Sequence, residues 1–408
     1  MASDSRAAAP AKTDLPVYLA SRVFGTTGIQ IQSLAIGWEV YETTGNALDL
    51  GWVGLAQFLP LLMLSLPAGA VADRLNRKLI LGTCRIVYTL GALALASSAL
   101  MAGGSLLPTF LVLALLGATR AFSFPAASAL LPALVTVDRL PRAIAMSSTT
   151  FQVATIGGPA VGGLIYAAFG AHAAYLTAAG CLAISGVCVF SLRTAMAKRA
   201  PTTEGPVARV AHGLRYVFRE KILLGAISLD LFAVLLGGAV ALMPIFARDI
   251  LDVGETGLGM LRSAPAVGAA ATAVFFAFFP MKRHAGRLMF SAVGLFGGAT
   301  IAFGLSESFA LSLFSLAILG GADMVSVVIR QSLIQLRTPD EMRGRVSSVS
   351  YVFIGASNEL GEFESGVTAA WLGTVRAVVL GGVGTLVVTG LWATMFPDLR
   401  RADRLDAD

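Results

Sequence analysis

Runs of about twenty apolar residues recur along the entire chain, and no other feature narrows the possible folds so far. Wound as a helix, such a run crosses a hydrocarbon core about 30 Å thick. The runs are continuous and not alternating, which favours helices over a barrel, because in lipid each segment must satisfy its own backbone hydrogen bonds. Twelve spans are expected, over 17–41, 48–72, 79–101, 107–132, 143–169, 171–192, 220–248, 256–279, 287–305, 309–336, 345–371 and 374–396. Charged residues make up only 13% of the chain, about half their share in an ordinary soluble domain. A water-soluble fold is therefore excluded.

The charges are distributed by topology. With both termini placed in the cytoplasm, Arg74, Arg77, Lys78, Arg139, Arg142, Lys282, Arg283, Arg287, Arg400 and Arg401 fall on that side. Arg248 and Arg376 fall in loops on the opposite side, and Arg22, Arg120, Arg262 and Arg330 lie within spans; every other basic residue is assigned to the cytoplasmic side. This is the positive-inside pattern, so the net charge of +6 reflects membrane orientation and not nucleic-acid binding. Arg22 and Arg262, close to span ends, are expected to snorkel as anchors. Cys84, Cys181 and Cys188 lie in predicted spans without CxxC spacing, and His172, His212 and His284 are scattered in loops. Neither a disulfide framework nor a metal site is indicated, and no cofactor is expected.

Residues 1–16 are polar, lack the apolar core of a signal peptide, and read as a cytoplasmic tail. The interval 193–219 is the longest polar stretch and reads as a cytoplasmic central loop, in which His212 to Lys221 can form a short amphipathic helix on the membrane surface. It separates six spans over 17–192 from six over 220–396, with a second cytoplasmic tail at 397–408. The halves echo one another: Leu134-Val135-Thr136-Val137-Asp138 aligns with Leu336-Arg337-Thr338-Pro339-Asp340, each before a basic loop and a Ser/Thr-rich helix start. An all-α membrane protein of two pseudo-symmetric six-helix bundles accounts for this pattern.

Three strings carry more specific information. Gly69-Ala70-Val71-Ala72-Asp73-Arg74-Leu75-Asn76-Arg77-Lys78 lies between spans 2 and 3; its small residues allow close approach, and Asp73 can accept from free amides at a helix N-terminus. Asn76 is expected to tolerate a left-handed turn there. In span 5, Gly157-Gly158-Pro159-Ala160-Val161-Gly162-Gly163 places a smooth groove on one helix face, and Pro159 removes a backbone donor and permits a kink. In span 4, Leu116-Gly117-Ala118-Thr119-Arg120 puts an arginine far from either membrane edge, where it needs an acidic partner or a wet cavity.

These strings resemble the signature loop, the antiporter-type glycine-proline motif and the beginning of the fourth-helix motif of the major facilitator superfamily, with Asn76 at a usual glycine position and Ser123-Phe124-Pro125 in place of a glutamine-glycine pair. The layout is similar to that of the superfamily's siderophore and drug efflux group, a likeness that extends to Pro125-Ala126-Ala127 and to the stretch from Arg337 to Val346. The resemblance implies two six-helix bundles around a midplane site exposed alternately to each side. It further implies that Gly69, Asp73, Arg74, Arg77 and Lys78 form a cytoplasmic gate, that Gly157, Gly158, Pro159, Gly162 and Gly163 form an antiporter-like hinge, and that Arg120 modulates proton coupling.

Acids at membrane depth supply proton-coupling candidates: Asp230 in span 7, Asp323 in span 10, and Glu359 and Glu362 one helical turn apart in span 11. Two carboxylates in one confined space favour a state in which one holds a proton, which makes Glu359 and Glu362 the preferred pair. Asp323 and Arg330 share a face of span 10 and are expected to line the same cavity; Gln30 and Gln57 are further substrate-cavity candidates, and Glu364 reads as a rim residue. No GxxxxGK[ST] string occurs, so ATP-driven transport by this chain alone is not expected, and no nucleophile–base set suggests an enzyme. The expectation is a proton-coupled exporter of a small amphipathic compound such as a drug or siderophore-like metabolite. It would act as a monomer in the bacterial inner membrane, with protons and the small molecule as its partners. Uptake by symport and a non-transporting sensor with the same fold are the alternatives.

Overall fold

A computed structural model describes residues 13–100, 106–193, 206–279 and 284–402. No β-strand occurs among them. The helices are α1 (Asp14–Thr44), α2 (Ala47–Arg74), α3 (Arg77–Ser98), α4 (Leu107–Leu130), α5 (Leu140–Ser191), α6 (Pro206–Arg219) and α7 (Lys221–Leu236). A turn of α8 (Met243–Ile245) follows, then α9 (Gly254–Phe278), α10 (Ala285–Gly304), α11 (Phe309–Arg337), α12 (Asp340–Leu372), α13 (Thr374–Met395) and α14 (Pro397–Arg401).

Among the described residues, nine helical segments are long and apolar enough to cross a membrane. The longest, α5, carries two of the expected spans: Gly170 has φ 78 and ψ −179, a conformation open to glycine and strained for other residues, and the chain turns there between spans 5 and 6. The long helices α1 and α12 stand outside those nine; α1 carries Arg22, Gln30, Gln32 and Glu39, and α12 carries Glu359, Glu362 and Glu364. His172 and His212 lie in helices, not loops, and His172 Nδ1 is 2.8 Å from the Ala96 carbonyl oxygen.

The chain divides into two compact units. The first contains Met1–Ile36 and Leu59–Pro206, the second Gly37–Phe58 and Val207–Asp408. In the first unit α3 packs against α4 and α5. Its core includes Tyr18, Leu81, Cys84, Ala126, Leu130, Leu134 and Val189, all nearly inaccessible. In the second unit α9 packs on α11, α10 on α11 and α13, and α12 on α7; Leu223, Leu229, Met289, Ile329, Leu333 and Leu399 form a core shared by α7, α10, α11 and α14.

The polar interval before α7 contains a real amphipathic element. Helix α6 sets Gly213 and Val217 into the second unit, where a side-chain carbon at Gly213 would stand 2.7 Å from the Arg345 carbonyl oxygen. The Tyr216 hydroxyl donates to the Arg337 carbonyl at 3.3 Å, while Arg215, Phe218 and Arg219 remain exposed. Desolvation, followed by the nearby Glu220 charge, pushes the Tyr216 phenol above its ordinary value.

Candidate functional site

The second unit gathers acids and bases from different helices. Asp230 of α7 is buried, and its carboxylate forms an ion pair with the Arg330 guanidinium of α11. Ser326, one turn before Arg330, donates its hydroxyl to Asp230 Oδ1 at 3.5 Å. Helices α7 and α11 are held in register by Leu229, Ile329 and Leu333, which share the apolar core around the pair. Asp230, Ser326 and Asp323 line one cavity of about 10 Å³ together with Ala233, Val234, Val293, Phe296 and Ala322, a space suited to roughly one water molecule. Arg330 therefore pairs with Asp230 across helices, and Asp323 lines the same small void as Asp230.

The acidic face of α12 meets the first turns of α2. Glu359 is buried, and Glu362 follows one turn later. Gly54 of α2 lacks a side chain where one would stand 2.9 Å from Glu362 Cβ and 3.1 Å from the Glu359 carbonyl oxygen. Small residues at such contacts let helix backbones approach closely. Trp52 packs on Phe363 with ring centroids 5.3 Å apart. Arg262 of α9 is within electrostatic reach of Glu362, and its guanidinium lies 2.9 Å from the position a Cβ would take at Gly37. Arg262 is thus turned into protein against an acid and does not snorkel as expected. Glu364 accepts from Thr368 Oγ1 at 2.8 Å on its own helix.

A third cluster closes the end of α1. The Tyr41 hydroxyl donates to the Asp249 carboxylate, and Arg248 Nη1 donates to the Tyr41 carbonyl at 3.3 Å while its guanidinium lies 5.6 Å from the Tyr41 ring centroid. Asp249 and Arg248 belong to a π-turn, Phe246–Ile250, that follows α8. Sequence reading treated Arg248 only as an external-loop charge; the π-turn had no recognisable signature.

In the first unit, Gly158 and Gly162 of α5 face α1. A carbon added at Gly158 would come 2.7 Å from Gln30 Cβ, and one at Gly162 would come 3.2 Å from Ile31 Cα, whereas Gly157 faces open space. Pro159 and Gly163 are buried in the same helix. Gln30 therefore packs beneath the glycine-proline stretch, and Gln57 donates to the Val53 carbonyl of its own helix at 3.4 Å. The gate string is described in part. Asn76 is extended (φ −67, ψ 115), not left-handed, and its side chain caps α3 by accepting from Lys78 N at 3.0 Å. Arg77 opens α3, and Lys78 Nζ donates to the Leu192 carbonyl. The side chains of Asp73 and Arg74, and the surroundings of Gly69, lie outside what is described.

Arg85 was missed. It lies within the span 79–101, as far from its cytoplasmic end as Arg262 is from the start of 256–279, and topology counting places it on the cytoplasmic side with the loop charges; a lone arginine among apolar neighbours is the available signal. Its guanidinium carbon stands 2.8 Å from the Cβ position at Gly25, as does Ser185 Oγ, and it lies within electrostatic reach of Arg22 and Tyr88. Arg22 sits 5.3 Å from the Phe151 ring centroid, and Tyr88 lies within reach of both Arg85 and Arg120.

Long apolar helices with several ionisable side chains held inside their packing are those of a multi-pass membrane protein in which polar groups mark a functional pathway. The chain belongs to the transmembrane secretion effector family, whose model matches residues 7–408. It is 29% identical over 391 residues to the multidrug efflux pump Tap of Mycolicibacterium fortuitum, covering 92% of this chain and 94% of that one. It is 26% identical over 375 residues to the enterobactin exporter EntS of Escherichia coli O1:K1, covering 91% and 87%. Among solved structures, a peptide transporter POT superposes with a TM-score of 0.73 at 14% identity, covering 97% of this chain and 96% of that one. A bacterial homologue of the human lysosomal transporter Spinster does so at 0.71 and 14%, covering 96% and 98%.

Proposed function

We propose that this transporter is an exporter that moves a small amphipathic organic compound out of the bacterial cytoplasm in exchange for protons, with both termini cytoplasmic. The observation that carries the reading is the set of acids packed inside the second unit: Asp230 against Arg330, Asp323 lining the same small void as Asp230, Glu359 buried on α12, and Glu362 one turn later within electrostatic reach of Arg262. A charge buried at membrane depth costs at least about 2.5–3.5 kcal/mol without a partner, so such side chains mark ion or proton pathways. Each carboxylate here has a competing state. When Glu362 takes a proton, its attraction to Arg262 is lost; when Asp230 takes one, Arg330 is released. Proton binding is thereby converted into a change in which side chains hold together, and only such a differential interaction shifts a conformational equilibrium.

A proton entering down a potential of 100 mV gains roughly 2.3 kcal/mol before any pH gradient is added. The names of the relatives, an efflux pump and an exporter, support the outward direction. The hinge reading of Gly158-Pro159 and the gate reading of Arg77 and Lys78 belong to the same proposal. The test is pH-driven flux in proteoliposomes containing Glu359→Gln, Glu362→Gln or Asp230→Asn protein. Loss of gradient-driven accumulation, with downhill exchange retained, is the expected result; full gradient-driven accumulation by all three rejects the assignment.

A further inference from the structure

The two units treat their buried cations differently. In the second, Arg330 faces Asp230 and Arg262 is within electrostatic reach of Glu362. In the first, no Asp or Glu occurs over 15–36, 74–137 or 139–203, so its part of α1 beyond Asp14, together with α3, α4 and α5, carries no carboxylate. Asp14, at the start of α1, accepts from the Arg193 backbone amide at 3.2 Å. Arg22 and Arg85 nevertheless sit together there. Arg22 and Gly25 share one face of α1, and the Arg85 guanidinium lies across Gly25 beside Ser185. Among the described residues, the Nε of each arginine is buried and has no hydrogen-bond partner. Both side chains keep partial exposure.

Two neighbouring guanidinium groups repel each other, and each loses hydration inside a membrane protein. An oxyanion answers both problems, because the guanidinium fork matches two carboxylate or phosphate oxygens. Phe151 and Tyr88 add aromatic surface beside the two arginines. Resting on the transporter reading above, we propose that Arg22 and Arg85 form an oxyanion-binding site and that the transported compound is an organic anion, an aromatic carboxylate being the simplest chemistry that fits.

The test uses full-length protein in phosphatidylcholine nanodiscs, with salicylate and its uncharged analogue salicylamide as probes and inorganic phosphate and added phosphatidylglycerol as the other sources of an oxyanion. Salicylate is expected to bind about tenfold more tightly than salicylamide. Arg85→Gln and Arg22→Gln should abolish that preference, and Arg85→Lys should retain part of it. Equal binding of the two probes, or a preference unchanged in both glutamine variants, overturns the proposal. So does displacement of salicylate by phosphate or phosphatidylglycerol at equal concentration, which would make the site one for an inorganic ion or a lipid headgroup. If Arg85→Gln does not fold, the wild-type probe pair and Arg22→Gln decide. Salicylate preference without flux of any compound sinks the transport reading and leaves the anion site; flux of neutral or cationic compounds without that preference sinks the anion site alone.

Discussion

The ion pair between Asp230 and Arg330 yields the most quantitative prediction. Their side chains are only 6% and 3% exposed, so solvent screens the pair little. Breaking such a pair by removing one partner strands a buried charge and costs about 3–5 kcal/mol. Arg330 has little reserve, because its Nε already lacks a hydrogen-bond partner among the described residues. Asp230→Leu should therefore destabilise the second unit by about 3–5 kcal/mol, and Arg330→Met by a similar amount. The double variant removes both charges and fills the space with apolar atoms, so its loss should fall short of the sum of the single losses by at least about 3 kcal/mol. Equilibrium unfolding in mixed micelles, followed by tryptophan fluorescence, measures all three; Trp392, whose indole donates to Ser228 Oγ at 2.8 Å on α7, reports from the same unit. Additive losses, or single losses under about 1 kcal/mol, would refute the view that the two charges hold one another in place.

Other consequences are local. Gly158→Ala forces a carbon to within 2.7 Å of Gln30 Cβ and should cost about 1–3 kcal/mol by overpacking, whereas Gly157→Ala meets nothing within 4 Å and should be neutral or stabilising by up to about 1 kcal/mol; thermal unfolding of the two variants compares them directly. Tyr41→Phe removes a hydroxyl donated to a carboxylate, and because Asp249 is about half exposed the loss should be about 1 kcal/mol, read by thermal unfolding against Asp249→Asn and the double variant. Gly213→Val collides with the Arg345 carbonyl and should detach α6, raising hydrogen exchange over 206–219 while leaving protection of α7 and α11 unchanged.

Features set by hydropathy alone were legible before any tertiary structure was considered. The break between spans 5 and 6 falls at Gly170 because the apolar run pauses there and only glycine accepts the required φ readily. The acids Asp230, Asp323, Glu359 and Glu362 stood out because charges are rare at membrane depth. Their partners did not. Arg330 shares a helix face with Asp323, yet its carboxylate comes from α7, and Arg262 looked like a snorkelling anchor until α9 and α12 set it opposite Glu362. Same-helix spacing reports only neighbours three or four residues apart, whereas these pairs depend on which helices pack together. Arg85 escaped for a related reason: topology counting absorbs an arginine near a basic loop, and its depth becomes evident only when Gly25 and Ser185 close over it. Asn76 illustrates the opposite error, since its ability to take a left-handed turn mattered less than its ability to cap α3.

Whether export runs on protons is decided by proton movement during substrate exchange. Proteoliposomes holding a trapped pH indicator, offered fluorescent amphipathic compounds of negative, neutral and positive charge, should show proton flux opposite in direction to substrate flux. An imposed pH gradient should drive substrate uphill, and a protonophore should abolish that accumulation. Substrate flux of the same size with and without the gradient, unaccompanied by any change in internal pH, would contradict the account.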